Sequence, residues 1–456
     1  MPQLARKLRI TDYFSLGWGT MVGVGWLVVM DDWLTRGGPL GGILGFAIGG
    51  LLLLPIGYVY GKLVMAMPDA SGEVAYTAKV FPPSVSFFTG WMMMLAYFIV
   101  CPWEAVAVGR IAAYIFPALD SVELYQVAGK PVFLPHLVVG LGLTGMLTWL
   151  NYRGVRLSAT FQNWTTFGTL SLFVVFVGIG VTRGSTANFA PLFTHTPFIS
   201  IFLVLQIVPY YMTGYESVTK AAEEANPEFR SRGFLLAIWS AIIVGVVFYV
   251  IVIAAVGFVA PWHELVGTPF MTAVAFEHAI GSRWIVSIIL AAALLSLFKV
   301  FNGNFVAASR LLFAMGRRGI VDERLAKIHP RNQTPATAVL WVGAVTGACM
   351  FLGSAILVPI SDVGSLASAL GWLAACAAYL CMKPPSREKA VATLGALVAC
   401  AMVLMKILPF VPGNFSRWEW LALALWLLTG ILIGRPRGSQ QAGDENAIVA
   451  ADSGKH

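Results

Sequence analysis

An all-α membrane protein of about twelve spanning helices is the fold class this sequence predicts, and three observations lead to it. Of its 456 residues, 58% are hydrophobic and only 11% are charged, whereas about a quarter are charged in soluble domains. Apolar runs of spanning length recur along nearly the whole chain and leave no stretch for a soluble module. Basic residues gather in alternate connections between those runs, as they do when one side of a membrane retains them.

Crossing the hydrocarbon takes about 20 apolar residues. Segments near that length fall at 14–35, 40–66, 84–115, 134–151, 159–182 and 198–220, then at 234–260, 283–315, 335–354, 361–382, 388–408 and 416–434. An even count puts both termini on one side. The connections on that side, the span ends that adjoin them and the two termini hold 22 Lys and Arg, against five at the other side (Arg36, Lys130, Arg183, Arg283 and Arg417). Both termini are therefore expected in the cytoplasm, with the protein in the cell's inner membrane. The same bias accounts for the formal charge of +8 without a nucleic-acid partner.

The opening MPQLARKLRITDYFSLGWG pairs a basic stretch with an apolar run, but the run outlasts a signal peptide and lacks an A-x-A-like cleavage site. It is read as a retained first helix. Cys101, Cys349, Cys376, Cys381 and Cys400 lie inside apolar runs without paired or zinc-like spacing, which points to packing. The organisation expected is a cytoplasmic N-terminus (1–13), a transport core of ten helices (14–384), two additional helices (385–434) and a disordered cytoplasmic tail (435–456).

The first span carries Gly17, Gly19, Gly23 and Gly25, and the sixth has Pro209 and Gly214 interrupting VPYYMTGYESVTK. Each interrupted span opens a set of five, and since five is odd the two sets must be inverted. Glycine-interrupted segments at matching places in inverted halves are the sequence mark of a transporter binding site. The competing reading is that small residues merely let helices approach closely; the paired placement favours the site.

Four motifs occur in order: GTMVGVGW in the first span, MPDASGEVAYTAKVFPP after the second, TGYESVTKAAEEANPEFRSRG in the sixth, and NFVAASRLLFAMGRRG with HPRNQTP at the eighth. Together they resemble the amino acid/polyamine/organocation superfamily of secondary transporters, over roughly residues 10–385. The most specific piece is Gly214, Tyr215 and Glu216 with Glu223, Glu224, Asn226 and Pro227. The resemblance implies a 5+5 inverted repeat of the LeuT-like type with discontinuous helices 1 and 6, two extra helices, and alternating access to a site between the breaks. Val24 stands where members commonly carry a small polar residue, so one hydroxyl contact to substrate is missing. After the eighth span, Gly319 leads to Ile320, Val321 and Asp322 where a proline is usual.

A helix broken in a dry environment frees backbone groups that need partners, and a zwitterion supplies them. The amides of Gly23, Val24 and Gly25 would take a carboxylate at the positive end of a helix dipole. Carbonyls near Thr20, Met21, Tyr211 and Met212 would face an ammonium, and Gly214 would permit close approach. Trp26, Tyr97, Tyr210, Tyr211, Tyr215 and Phe298 would shape the side-chain pocket, and Tyr210 matches a gating aromatic in the members this chain resembles.

Ionisable residues inside a span cost about 2.5–3.5 kcal/mol at the helix centre, so each needs a partner or a purpose. Asp31 and Asp32 suit an external vestibule, and Glu104 is expected to serve structure, tied to Arg110 or a neighbouring helix. Glu216 and Lys299 both fall near mid-depth and are expected within reach of each other. Lys299 lies at the level where sodium-coupled relatives of this fold hold an ion between helices 1 and 8, so its ammonium would replace sodium. Glu216 would carry a coupling proton, or else brace the break. Glu223, Glu224, Arg230, Arg232, Arg310, Arg317 and Arg318 would anchor helix ends or pair at an inner gate.

Scattered His136, His195, His263, His278, His329 and His456, with no nucleophile elbow or phosphate loop, give no enzyme and no cofactor. A channel lacks a filter sequence or ring of charge. The expectation is a permease for an amino acid, exchanging or proton-coupled, with a polyamine or ethanolamine-like amine as runner-up. The sequence leaves oligomeric state open.

Overall fold

The computed structural model describes residues 4–434 except 128 and 269, with the backbone alone for 354–361. The tail expected to be disordered lies outside the described residues. The chain is a bundle of helices, and eight of those described are long and apolar enough to cross a membrane: Met30–Ala66, Pro83–Ile115, Val155–Val181, Arg232–Val259, Trp284–Arg317, Ala336–Gly353, Asp362–Cys381 and Ser386–Ile407. The other expected spans are present in different form. Leu134–Arg153 is a helix carrying His136, Asn151 and Arg153, and Arg417–Ile433 has 17 residues. The first and sixth are broken into short pieces: Ile10–Met21 and Gly25–Val28, then Pro197–Leu205, Val208–Met212 and Ser217–Lys220.

Prolines set several of the interruptions, because a proline ring clashes with the carbonyl four residues before it and donates no hydrogen bond. Pro102 stands four residues after Phe98, where Pro83–Phe98 stops before Val100–Ile115 begins. Pro209 stands four after Leu205, where Pro197–Leu205 stops. Between the first and second spans, Gly38 at φ +66° followed by Pro39 turns the chain tightly, where the sequence suggested a short loop.

Small residues set the closest helix approaches. A Cβ at Gly45 would stand 2.7 Å from Val204 and one at Gly49 2.9 Å from Val208, so the second span lies directly on the sixth. The last helix is tied to the third span by Trp91 and Trp426. Their rings stack at 4.4 Å and each indole N–H donates to the other's carbonyl, at 2.9 and 3.1 Å. Outside the helices, strands Glu123–Val127 and Lys130–Phe133 form an antiparallel hairpin, where the spans alone imply only a connection.

Candidate functional site

Helix Ile10–Met21 ends where Val22 turns to extended backbone, φ −92° and ψ 97°, and winding resumes at Gly25. The carbonyls freed there all find donors, as a dry surrounding requires. The Lys299 ammonium donates to the Val22 carbonyl. The Ser296 hydroxyl donates to Val22 at 3.1 Å and to Gly23 at 2.8 Å. Asn304 Nδ2 donates to Thr20 O at 3.1 Å, and the Tyr249 hydroxyl to Met21 O at 3.4 Å. Lys299 also stands 4.5 Å from the centre of the Trp18 ring, whose negative face favours a cation.

In the sixth span Thr213 is extended and Gly214 takes φ +132°, a conformation open to glycine and strained for other residues. A Cβ at Gly214 would lie 2.6 Å from the Met21 nitrogen and 2.7 Å from the Thr20 carbonyl carbon, so the two breaks abut through their backbones. Three bonds fix this junction. Thr213 Oγ1 donates to Pro209 O at 2.6 Å, the Gly214 N–H donates to Glu216 Oε2 at 3.1 Å, and Ser217 Oγ donates to Thr20 Oγ1 at 3.3 Å. Tyr249 donates also to Tyr211 O at 3.1 Å, so one hydroxyl serves both breaks.

A cavity of about 30 Å³ lies at the junction. Thr20, Met21, Gly23, Val24 and Gly25 line it from the first break, and Tyr210, Tyr211 and Thr213 from the second. Ala96, Val100, Trp103 and Glu104 close it from the third span, Val300 from the eighth and Ser368 from the tenth. This volume is that of a single water, so the pocket must widen to admit any solute.

The remaining sequence candidates lie around the cavity without lining it. Trp26 stacks on Phe176 at 5.5 Å, and Tyr215 stacks on Trp372 at 5.7 Å. Met212 packs toward Gly50 and Gly245. Tyr97 is buried beside Glu216, and Phe298 is half-buried at the edge of the core.

Two expected pairings are corrected. Glu216 and Lys299 do not meet: Lys299 reaches the carbonyl edge of the first break, while Glu216 turns to the Gly214 N–H with Tyr97 and Trp372 beside it. The broken first helix lies between them, with Gly303 of the eighth span against Thr20 on one side and Gly214 against Met21 on the other. Nor does Glu104 join Arg110. Six residues along a helix rotate a side chain by about 240°, and Glu104 instead points to the first break, with Oε1 2.9 Å from where a Gly23 Cβ would stand. The sequence gives Glu104 a structural role only, and it does not single out Thr213, Tyr249, Ser296 or Ser368. The available signal was a glutamate in mid-span and hydroxyls flanking it.

At the end of the bundle that holds residues 4–13, charges close on one another. Glu73 accepts from Lys220, and both side chains are fully buried, with the Tyr60 hydroxyl donating to the other Glu73 oxygen at 2.7 Å. Arg310 pairs with Glu224 through two nitrogens, Nη2 at 2.9 Å, again out of solvent. Arg317 pairs with Glu223, and Arg318 donates to Asp69 at 2.7 Å and to Ser71 at 3.0 Å. Burial raises the Asp69 carboxyl, but the Arg318 charge, Ser71 and Arg317 together hold it below the usual carboxylate range. These links are deeper than the surface pairs the sequence suggested, and Arg230 and Arg232 take no part. The N-terminal segment seals the group: the amides of Lys7 and Leu8 donate to Glu224 O at 2.8 and 2.9 Å, and Asn226 N–H to Leu8 O at 2.9 Å.

At the opposite end, a cavity of about 250 Å³ is lined by Asp31, Asp32, Arg36, Arg110, Lys130 and Asp362, and shares Trp103, Tyr210 and Tyr211 with the central pocket.

Taken together these features define a polytopic helical membrane protein with two broken, abutting spans around a central pocket, the architecture of a solute permease. The chain belongs to the amino acid permease family, whose model matches residues 8–433. It is 24% identical to a branched-chain amino acid permease of Bacillus subtilis (strain 168) over 444 residues, covering 94% of this chain and 92% of the relative. A methylthioribose transporter of the same organism is 25% identical over 451 residues, with 94% and 93% covered. An aromatic amino acid transport protein of Escherichia coli O157:H7 is 24% identical over 405 residues, with 86% and 84% covered.

Proposed function

We propose that the chain is a secondary active transporter of a zwitterionic amino acid, working by alternating access in the cell's inner membrane with both termini in the cytoplasm. Transport rather than catalysis is its task. The observation that carries this reading is the abutment of the two breaks at Gly214 and Met21, around a pocket lined by Gly23, Val24 and Gly25. Their amides open a new helical turn and suit a carboxylate. The carbonyls of Thr20, Met21 and Tyr211 each accept one protein donor and retain a second lone pair for an ammonium, whereas Val22 O already accepts from both Lys299 and Ser296. The names of two relatives, for branched-chain and for aromatic amino acids, agree with a substrate of this class. The basic residues, 22 against five, support the orientation.

Sodium independence follows from Lys299. Its ammonium, with the Ser296 hydroxyl, occupies the carbonyls of the first break where a cation would otherwise sit. Uptake into proteoliposomes is expected to be unchanged when sodium replaces potassium at constant pH; strong stimulation by sodium contradicts it. If a pH gradient drives transport, Glu216 is the carboxyl placed to carry the proton, and Glu216→Gln would then exchange substrate but lose uphill uptake. The substrate class is tested by thermal shift against the common L-amino acids, putrescine and ethanolamine, followed by counterflow, because a ligand of the folded state raises its stability. Stabilisation and counterflow with amino acids are expected. Stabilisation by putrescine or ethanolamine alone overturns the zwitterion assignment.

A further inference from the structure

We propose that a buried cluster beside the second break is a proton route, through which Glu216 releases its proton to the cytoplasm by way of Tyr60, Glu73 and Lys220. The proposal rests on the orientation argued above and on the reading of Glu216 as the proton carrier, and it adds the groups that connect that carboxyl to water. Glu216 is fully buried and does not line the central pocket, so its proton needs a separate way out.

Glu216 caps the short helix Ser217–Lys220, and Lys220, four residues on, lies on the same face about 6 Å along the axis. Several elements pack on that face. Tyr60 of the second span donates its hydroxyl to Glu73 Oε1 at 2.7 Å, stands 6.0 Å from the Tyr215 ring and lies within electrostatic reach of Glu216. Glu73, which opens helix Glu73–Ala78, gives its other oxygen to Lys220. Tyr97 of the third span has its ring centre 5.9 Å from Lys220 Nζ and its hydroxyl beside Glu216. Tyr76 lies between Thr219 and Asp69, and Cys376, uncharged as a thiol, faces Tyr60 and Tyr215 from the tenth span. Beyond Lys220 stands Asp69, 26% exposed and tied to Arg318, which makes the contact with water. Three carboxyls, Glu216, Glu73 and Asp69, thus run from the break to the surface.

The charge count decides what this cluster can do. Glu216, Glu73 and Lys220 are all fully buried, and two carboxylates with one ammonium leave a net negative charge, which is costly out of water. One added proton makes the set neutral, and it does so on either carboxyl. With the proton on Glu216, Lys220 pairs with Glu73, as observed. When Glu216 passes its proton to the Tyr60 oxygen, Tyr60 passes its own hydroxyl proton to Glu73, to which it is already bonded. Tyr60 ends unchanged, Glu73 becomes the neutral acid, and the Lys220 ammonium turns to the new carboxylate four residues before it. No buried charge is stranded at either stage. Glu73 yields the proton to Asp69 and water once that end opens, because the net charge then left needs solvent. Glu216 Oε1 and the hydroxyls of Tyr97 and Tyr215 are buried without a hydrogen bond of good geometry among the described residues, so the inner end of the route has capacity for a moving proton.

The test uses the full chain in proteoliposomes, with a radiolabelled mixture of the common L-amino acids, each at about 1 mM, the upper end of usual KM values. Uphill uptake driven by an acid exterior is compared with counterflow at equal pH, which needs no proton release. Tyr60→Phe removes only the relaying hydroxyl, and Glu73→Gln with Lys220→Met removes the acceptor while keeping buried charge balanced. Both are expected to lower driven uptake roughly tenfold or more while counterflow stays near the wild-type rate. Driven uptake at the wild-type rate in either variant overturns the route. So does an equal loss of both activities in Tyr60→Phe at an unchanged thermal midpoint, which would assign the hydroxyl to the conformational change. Glu216→Gln separates this failure from that of the carrier: driven uptake lost there, but kept in a relay variant, counts against the route alone. A wild type whose uptake ignores the pH gradient, with counterflow intact, overturns the route and the proton reading together and leaves the amino acid assignment standing.

Discussion

The two ends of the bundle are closed by different physics. At the end that holds the N-terminal segment the charges are matched: Glu73 with Lys220, Glu224 with Arg310, Glu223 with Arg317 and Asp69 with Arg318, the first two pairs out of solvent. At the opposite end Arg110 and Lys130 stand exposed and, with Asp31, form no ion pair among the described residues, and the cavity they line shares Trp103, Tyr210 and Tyr211 with the central pocket. Rotating a ring costs little, whereas parting a buried ion pair requires each charge to regain water or a new partner. The difference teaches that this conformation is locked at the N-terminal-segment end and latched lightly at the other. In the proposed cycle, the slow half should therefore be the one that opens these ion pairs.

The largest expected effect comes from unbalancing that lock. Lys220→Met strands the Glu73 carboxylate out of water, a change that costs about 3–5 kcal/mol and should lower the thermal midpoint in detergent strongly. Glu73→Gln combined with Lys220→Met should recover most of the loss; a double variant as unstable as the single one would deny the pairing. Next comes the junction between the ends. Gly214→Ala forces a side chain into φ +132° and to within 2.6 Å of Met21 N, a strain of about 1–3 kcal/mol. Because about 1.4 kcal/mol is tenfold, counterflow should fall roughly tenfold or more while monodisperse elution is kept.

A smaller effect is expected on acidification. The Asp69 carboxyl is held below its ordinary value in the fold. Its contribution is therefore complete above the unfolded pKa of about 3.9 and is lost as pH falls through the lowered value. Asp69→Asn should flatten the acid limb of a stability profile and leave neutral pH nearly unaltered. The smallest effect belongs to the outer end: Arg36→Gln breaks a half-exposed pair with Asp32 and should cost only about 0.3–0.5 kcal/mol. A loss at Arg36 equal to that at Lys220 would erase the contrast between the ends.

Much of this was legible in the chain. Apolar runs gave the spans, and Gly23, Gly25, Pro209 and Gly214 marked both breaks. Periodicity gives the face and depth of a side chain but not its neighbour, which is why Glu216 and Lys299 were expected to meet and instead face opposite sides of the first helix. Lys220 stands out in no local pattern, because its partner Glu73 lies 147 residues away in sequence. The hairpin left a local trace that was overlooked, an alternating ELYQV and a glycine at position 129 with φ +76°. For Glu104 the sequence left open Arg110 or a neighbouring helix, and it is the neighbouring first span that the carboxylate faces.

The most direct measurement is the structure of the purified protein in nanodiscs with an amino acid identified by the thermal-shift screen. The ligand's carboxylate is expected on the amides of Gly23 to Gly25, with its ammonium toward the carbonyls of Met21 and Tyr211 and both breaks still unwound. Density confined to another part of the molecule, or residues 20–25 and 213–216 rewound into continuous helix, would contradict the account.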